Sequence, residues 1–327
     1  MTGSQIRGSQ IGIVGAGAFG TALALALERD GHAITLWLRD PTAAARIATT
    51  RHTPYLPGAT LPDSVTVTAD LADLSAAQAL VLAIPMQSLG PFLARHAPDL
   101  PAVPLIACCK GIDLATLRGP TAILTAARPD LPCAILTGPS FAADIAVGLP
   151  TAMTLACATE VAEPLQRLLS TPILRLYRTD DMIGAELGGA LKNVIAIAAG
   201  VVIGAALGNS ARAALMTRGY AEMQRLALTL GARPETLAGL SGLGDLVLTC
   251  TSLQSRNLRF GIALGAGTDF DATLTVEGAA TAKAVARLAR TSAIAMPITR
   301  MVADLIDCTV TLDQAIAGLM SRPLKHE

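Results

Sequence analysis

Three glycines near the amino terminus constrain this chain most. Gly15-Ala16-Gly17-Ala18-Phe19-Gly20 follows the apolar run Ile11-Gly12-Ile13-Val14 and opens a helical pattern. In a strand–turn–helix unit each glycine has its own task. Gly15 permits the tight turn, Gly17 lets a pyrophosphate approach the backbone, and Gly20 lets the helix lie close to the strand. The helix start then presents N–H groups to the phosphates. The spacing alone is a weak signal, but behind one strand and ahead of a second it reads as a dinucleotide fingerprint. The second strand ends in Leu36-Trp37-Leu38-Arg39-Asp40. An acidic residue about 20 positions after the glycines suits the ribose of NAD, whereas an arginine suits the 2′-phosphate of NADP. Arg39 therefore points to NADP(H), with Asp40 as the rival that would support NAD.

The rest of the first half repeats short apolar runs. Ile11–Val14, Ala33–Leu38, Leu80–Ile84, Leu105–Cys109, Ala134–Thr137, Ala152–Ala156 and Ile173–Leu176 are strand candidates. Helical stretches such as Thr21–Arg29 and Ala162–Leu169 lie between several of them. This alternation predicts an α/β, doubly wound sheet with helices on both faces. From about Asp180 the strand signals fade, and Ala211–Leu230, Glu277–Ala289 and Thr299–Ile306 read as helices. The expected division is a dinucleotide-binding domain over residues 1–187 and an all-helical domain over residues 188–327.

The second domain opens on Glu186-Leu187-Gly188-Gly189-Ala190-Leu191-Lys192-Asn193-Val194-Ile195-Ala196-Ile197, which reads as the start of a long buried helix. Lys192 sits near that helix's N-terminus, at the head of an apolar run. Burying an ammonium is costly unless it is paired or used, so Lys192 is a candidate reaction centre rather than a lysine whose charge only reaches water.

Composition limits the alternatives. The formal net charge is zero and the pI is near 6.9, which removes the usual electrostatic case for nucleic acid or an anionic membrane. The mean hydropathy of +0.51 is high. The apolar run Val194–Leu207 is nonetheless shorter than the roughly 20 residues a membrane span needs, so no membrane insertion is expected. Met1–Gln10 lacks the apolar region of a signal peptide. Cys108, Cys109, Cys133, Cys157, Cys250 and Cys308 form no zinc spacing, and a reducing cytoplasm fits them. His32, His52, His96 and His326 form no ligand pattern, and no metal is expected.

Further blocks follow in a fixed order: Lys110-Gly111, Gly138-Pro139-Ser140-Phe141-Ala142, Gly188 to Ala196, Gly242-Leu243-Gly244-Asp245-Leu246, Ser255-Arg256-Asn257 and Val276-Glu277-Gly278. Together with the glycine fingerprint, the set resembles the bacterial NAD(P)-dependent sn-glycerol-3-phosphate dehydrogenases over about residues 10–320. The resemblance implies a Rossmann-type sheet followed by an all-helical C-terminal domain of the 6-phosphogluconate dehydrogenase C-terminal-like kind. It implies reversible hydride transfer between NADPH, or NAD(H), and dihydroxyacetone phosphate, giving sn-glycerol 3-phosphate for phospholipid synthesis. By the same resemblance Lys192 is the catalytic proton donor. Lys110, Gly138, Ser140, Lys192, Asp245, Ser255, Arg256 and Asn257 bind substrate. Gly15, Gly17, Ala18, Phe19, Gly20, Arg39, Lys110, Ala142, Arg256, Thr275 and Glu277 bind the cofactor. A homodimer is implied as well. The chain departs from the family's habit at Ala18-Phe19, where serine followed by an aromatic is common, and at Thr275, where valine is usual.

The chemistry suits these residue types. Hydride reaching a ketone carbon leaves charge on its oxygen, which a positioned ammonium stabilises and protonates. Arg256 offers a fork to phosphate, and Ser255 and Asn257 add donors. Two other readings remain open: another two-domain hydroxyacid or ketopantoate reductase, and a non-catalytic NADPH-binding regulator.

Overall fold

The computed structural model describes residues 8–320; most of the Met1–Gln10 stretch and His326 lie outside them. The chain divides into two compact units. Residues 1–110 and 118–186 form the first, and residues 111–117 and 187–327 the second.

The first unit is built on an eight-stranded sheet of β1 (Gln10–Val14), β2 (Ala33–Trp37), β3 (Thr66–Thr68), β4 (Ala79–Leu82), β5 (Leu105–Ala107), β6 (Cys133–Thr137), β7 (Thr151–Cys157) and β8 (Leu174–Thr179). The order is β3-β2-β1-β4-β5-β6-β7-β8. All neighbours are parallel except β6 and β7. The first six strands follow the dinucleotide-fold order, which reverses direction between β1 and β4. The helices are α1 (Ala18–Glu28), α2 (Pro41–Thr50), α3 (Met86–His96), α4 (Pro120–Ala127), α5 (Ala142–Ala146) and α6 (Thr159–Leu169). One apolar cluster gathers Ile11, Ile13, Leu23, Leu27, Ile34 and Leu36; another gathers Val14, Trp37, Leu80, Leu82 and Met86. Alternate residues of β1 thus enter different clusters, as the period of two in a strand requires. β3 was not expected from the sequence. It is a three-residue, threonine-flanked strand at the sheet edge, too short and polar to stand out.

α7 (Met182–Gly204) begins in the first unit and continues through the second. There it is joined by α8 (Asn209–Thr229), α9 (Pro234–Ala238), α10 (Asp245–Thr251), α11 (Arg256–Ala266), α12 (Glu277–Thr291), α13 (Pro297–Ile306) and α14 (Leu312–Met320). α7 is long and apolar enough to cross a membrane, yet 89% of its most apolar window is buried inside the protein. A helix apolar all round is what the centre of a helical core requires. The segment 111–117 leaves the sheet unit to join this core. Ile112 is buried within it, and the Arg287 guanidinium donates to the Leu114 carbonyl at 2.8 Å.

Two helices that begin with proline take their caps from distant carboxylates. α4 starts at Pro120 behind Gly119, which has no side chain to cap with. Buried Glu186 on α7 accepts the Thr121 N–H instead. α13 starts at Pro297, and buried Glu222 accepts from the Ile298 and Thr299 N–H groups at 2.7 and 3.2 Å. Burial raises both carboxyls, against the pull of those hydrogen bonds, and Glu186 goes from the ordinary 4.5 to about 7. The linkage has a definite sign. Folded Glu186 keeps its proton to a higher pH than unfolded glutamate, so its stability contribution is complete below pH 4.5 and is lost as pH rises through about 7. Urea unfolding should show the wild type losing about 3 kcal/mol relative to Glu186→Gln over that range. A difference that stays constant with pH would contradict this.

Candidate active site

In the sheet unit, candidate residues gather at the carboxyl ends of neighbouring parallel strands. Gly15 follows β1 with φ of 108°, and a Cβ there would lie 2.7 Å from the Ala83 carbonyl just past β4. A Cβ on Gly20 would lie 2.0 Å from the Gly15 carbonyl. Gly17 is the N-cap of α1, makes no side-chain cap, and a Cβ there would meet nothing within 4 Å. The first turn of α1 carries no acidic residue. A helix start with this open approach and no competing carboxylate fits a dinucleotide pyrophosphate. Ala18, Phe19 and Ala142, the last opening α5, are half-buried against the same core.

Arg39 is exposed two residues beyond β2. Its rival Asp40 caps α2, where its Oδ1 accepts the Thr42 and Ala43 N–H groups at 2.9 and 3.3 Å. Asp40 thus has a local structural task that Arg39 lacks. At the ends of β5 and β6, the Lys110 ammonium and the Ser140 hydroxyl both donate to the Gly138 carbonyl, each at 3.1 Å. Gly138 has φ of 136°, and a Cβ there would lie 3.1 Å from the Met153 Cα. This turn brings Lys110, Gly138 and Ser140 together.

In the helical unit, Lys192 lies in the middle of α7, not near its N-terminus as the sequence suggested, because the helix begins earlier, at Met182. The macrodipole therefore does not act on it; its neighbours do. Lys192 donates to Asp245 Oδ1 and, at 2.7 Å, to the Thr249 hydroxyl. Thr249 in turn reaches Asp245 Oδ1 at 3.3 Å. The lysine and aspartate side chains are only 7% and 1% exposed. A buried pair of this kind holds because each charge is matched and hydrogen-bonded. Gly188, one turn before Lys192, makes the approach possible, since a Cβ there would come within 2.5 Å of the Ser241 carbonyl. The Gly242-Leu243-Gly244 stretch is a π-helical turn leading directly into α10. Thr249 was missed from the sequence, although its spacing of four from Asp245 on a helix puts both on one face. Beside them the buried Cys250 thiol is pushed up to about 12 by desolvation, so it stays neutral.

The start of α12 meets α7 at the next residue, Asn193, and the start of α11 meets that of α12. Ser255 caps α11, accepting the Leu258 N–H at 3.1 Å. Asn257 Oδ1 accepts the Gly278 N–H at 2.9 Å, and a Cβ on Gly278 would lie 2.7 Å from both Asn257 Oδ1 and the Asn193 carbonyl. These oxygens are used as acceptors, so what Ser255 and Asn257 can add is a hydroxyl and an amide donor. Donors are what a phosphate needs. Arg256 is exposed, Glu277 opens α12, and Thr275 is exposed two residues earlier.

Comparison with known proteins covers nearly the whole chain. The family models described as NAD-dependent glycerol-3-phosphate dehydrogenase N-terminus and C-terminus match residues 10–163 and 181–317. The chain is 64% identical over 318 residues to the NAD(P)+ glycerol-3-phosphate dehydrogenase of Cereibacter sphaeroides, covering 97% of this chain and 100% of that protein. It is 58% identical over 319 residues to the enzyme of the same name from a Ruegeria species, covering 97% and 99%. The crystal structure of glycerol-3-phosphate dehydrogenase from Coxiella burnetii superposes with a TM-score of 0.92 at 37% identity, covering 96% of this chain and 99% of that one. A ketopantoate reductase from Ralstonia eutropha reaches only 0.61 at 15% identity, covering 94% and 99%, a likeness of fold alone.

Proposed function

The chain belongs to the NAD-dependent glycerol-3-phosphate dehydrogenase family, and from that premise we propose that it reduces dihydroxyacetone phosphate to sn-glycerol 3-phosphate with NADPH, with NADH as the weaker cofactor. The observation that carries the proposal is the buried Lys192–Asp245–Thr249 group beside the donor-bearing starts of α11 and α12. When bound, the nicotinamide supplies the hydride. The protein supplies the proton and the alignment. Asp245 and Thr249 hold the Lys192 ammonium in one place, so its proton is aimed at the carbonyl oxygen as charge grows there. In the oxidative direction the same nitrogen takes the alcohol proton. We assign Arg256, Ser255 and Asn257 to the substrate phosphate, and Lys110, Gly138 and Ser140 to the substrate as well. Gly15, Gly17, Ala18, Phe19, Gly20, Lys110, Ala142, Arg256, Thr275 and Glu277 serve the dinucleotide, and Arg39 its 2′-phosphate.

The proposed setting of the reaction is the cytoplasm, whose reducing state is compatible with free thiols such as the exposed Cys308. Its product supplies the backbone of membrane phospholipids. The working form is a homodimer that needs neither nucleic acid nor membrane insertion.

The role of the phosphate is tested by comparing dihydroxyacetone phosphate with unphosphorylated dihydroxyacetone. The proposal expects turnover of the first and at least a thousandfold lower kcat/KM for the second, an order of magnitude set by losing several charge-assisted hydrogen bonds. Equal turnover of both would overturn the assigned phosphate cradle. Arg39 has its own test. Arg39→Ala should weaken NADPH roughly tenfold or more, as loss of a bond to a charged group does, and change NADH less than twofold. Equal losses for the two cofactors would move the 2′-phosphate elsewhere.

A further inference from the structure

Between α2 and β3, residues 51–65 form a loop with no regular structure that is nonetheless firmly fixed. Arg51 ends α2 in the left-handed conformation at φ of 60°. Its guanidinium then donates to the carbonyls of Leu61, Pro62 and Val65, at 3.2 Å to Leu61 and 2.8 Å to Val65. Leu56, Ala59, Leu61 and Val65 are buried in the core of the sheet unit. Thus held, the loop delivers one hydroxyl to the glycine turn: Thr53, 2% exposed, donates to the Ala16 carbonyl at 3.2 Å. Thr21 on α1 donates to the same oxygen at 3.4 Å.

The geometry of one peptide unit gives this contact a consequence. The Ala16 carbonyl and the Gly17 N–H belong to the same planar group, and the bond is trans, since the described chain has no cis peptides. In a trans peptide the C=O and N–H point in opposite directions. Two hydroxyls that hold the carbonyl on the protein side therefore turn the N–H to the other side. The turn is also open at this residue, since a Cβ on Gly17 would meet nothing within 4 Å.

We infer that Thr53 is a positioning residue for the dinucleotide, fixing the Ala16–Gly17 peptide so that the Gly17 N–H is already aimed at the pyrophosphate. The inference rests on the NADP(H) reading above. It adds a residue from a loop outside the fingerprint, one that acts on the pyrophosphate shared by both cofactors and not on the 2′-phosphate that Arg39 would read. Pre-orientation of a donor lowers the ordering cost of binding and leaves the chemistry alone.

The test is titration of the full-length protein with NADPH and with NADH, followed by reduced-nicotinamide fluorescence, for wild type, Thr53→Val and Thr53→Ser. The expected result is a Kd raised about five- to tenfold in the valine variant, as loss of one hydrogen bond allows. The rise is equal for both cofactors and the serine variant restores it. At saturating NADPH, kcat should stay within about twofold of wild type and the thermal midpoint should hold. Thr21→Val, which removes the second hydroxyl from the same carbonyl, should move Kd in the same direction by less, and it serves if Thr53→Val does not fold. Unchanged Kd in both valine variants, or a serine variant as weak as valine, would overturn the inference. Wild-type protein that binds NADPH but leaves dihydroxyacetone phosphate untouched would instead overturn the proposed reaction, while the Kd comparison would still decide the role of Thr53.

Discussion

Lys192→Ala should lower kcat for dihydroxyacetone phosphate reduction by about a thousandfold or more, the range expected when a general acid and its charge are removed together. NADPH should still bind within about threefold of wild type, because the cofactor residues proposed in the sheet unit are untouched. Lys192 is buried and tied to Asp245 and Thr249, so alanine also takes the matching positive charge away from buried Asp245. Some loss of stability follows from that buried charge, and it has to be separated from the kinetic loss. Lys192→Arg serves as the control, since it keeps the charge but cannot give up its proton. If Lys192→Arg were as active as wild type, the lysine would be an electrostatic anchor and not the proton donor. A Lys192→Ala variant with near-normal kcat would remove it from the reaction.

The second large effect is on stability, at the crossing of α7 and α11. Gly200 and Gly204 on α7 face Gly261 and Gly265 on α11. A Cβ at Gly200 would come within 2.2 Å of the Leu258 carbonyl oxygen, and one at Gly261 within 2.0 Å of that of Ile197. At Gly204 and Gly265 the corresponding distances, to Ile262 and Val201 carbonyl oxygens, are 2.1 and 2.3 Å. The two backbones touch, and no flexible side chain lies between them to give way. Gly261→Val should therefore destabilise the protein by more than about 3 kcal/mol, at or beyond the top of the usual range for overpacking. Gly267→Ala, at the exposed left-handed cap of the same helix, should cost only about 1 kcal/mol. Chemical unfolding of the two variants beside wild type measures both. A Gly261→Val protein within about 1 kcal/mol of wild type would mean that the helices can separate at no great cost, and that the glycines are not what holds them close.

These two regions also show where sequence carries structure and where it does not. Buried parallel strands announce themselves because both faces must be apolar, and runs such as Leu80–Leu82 or Ala134–Leu136 leave little choice. The glycine turn is equally plain, since its backbone geometry admits few other residues. β3 escaped because a short edge strand needs no apolar run. Lys192 and Asp245 were visible as residue types in matching blocks, and their chemistry allowed Asp245 to hydrogen-bond either Lys192 or a substrate hydroxyl. The bond to Lys192 is present, although a separation of 53 residues carries no period that would have singled it out. Thr249 was missed for the opposite reason: its spacing from Asp245 was legible, yet threonine on an apolar helix reads as core. The carboxylates of Glu186 and Glu222 cap helices 65 and 76 residues away. The local patterns at Pro120 and Pro297 say only that a helix starts, not what satisfies it. Asp40 and Arg39 were both candidates for the cofactor ribose, and the cap that Asp40 provides to α2 is seen only once the turn is formed.

The most direct measurement is the loss of reduced-nicotinamide absorbance when purified protein is given NADPH and either dihydroxyacetone phosphate or ketopantoate. Rapid loss is expected with dihydroxyacetone phosphate, with sn-glycerol 3-phosphate as the product, and no loss with ketopantoate. Folded protein that binds NADPH but consumes it only with the ketoacid, or with neither substrate, would contradict it.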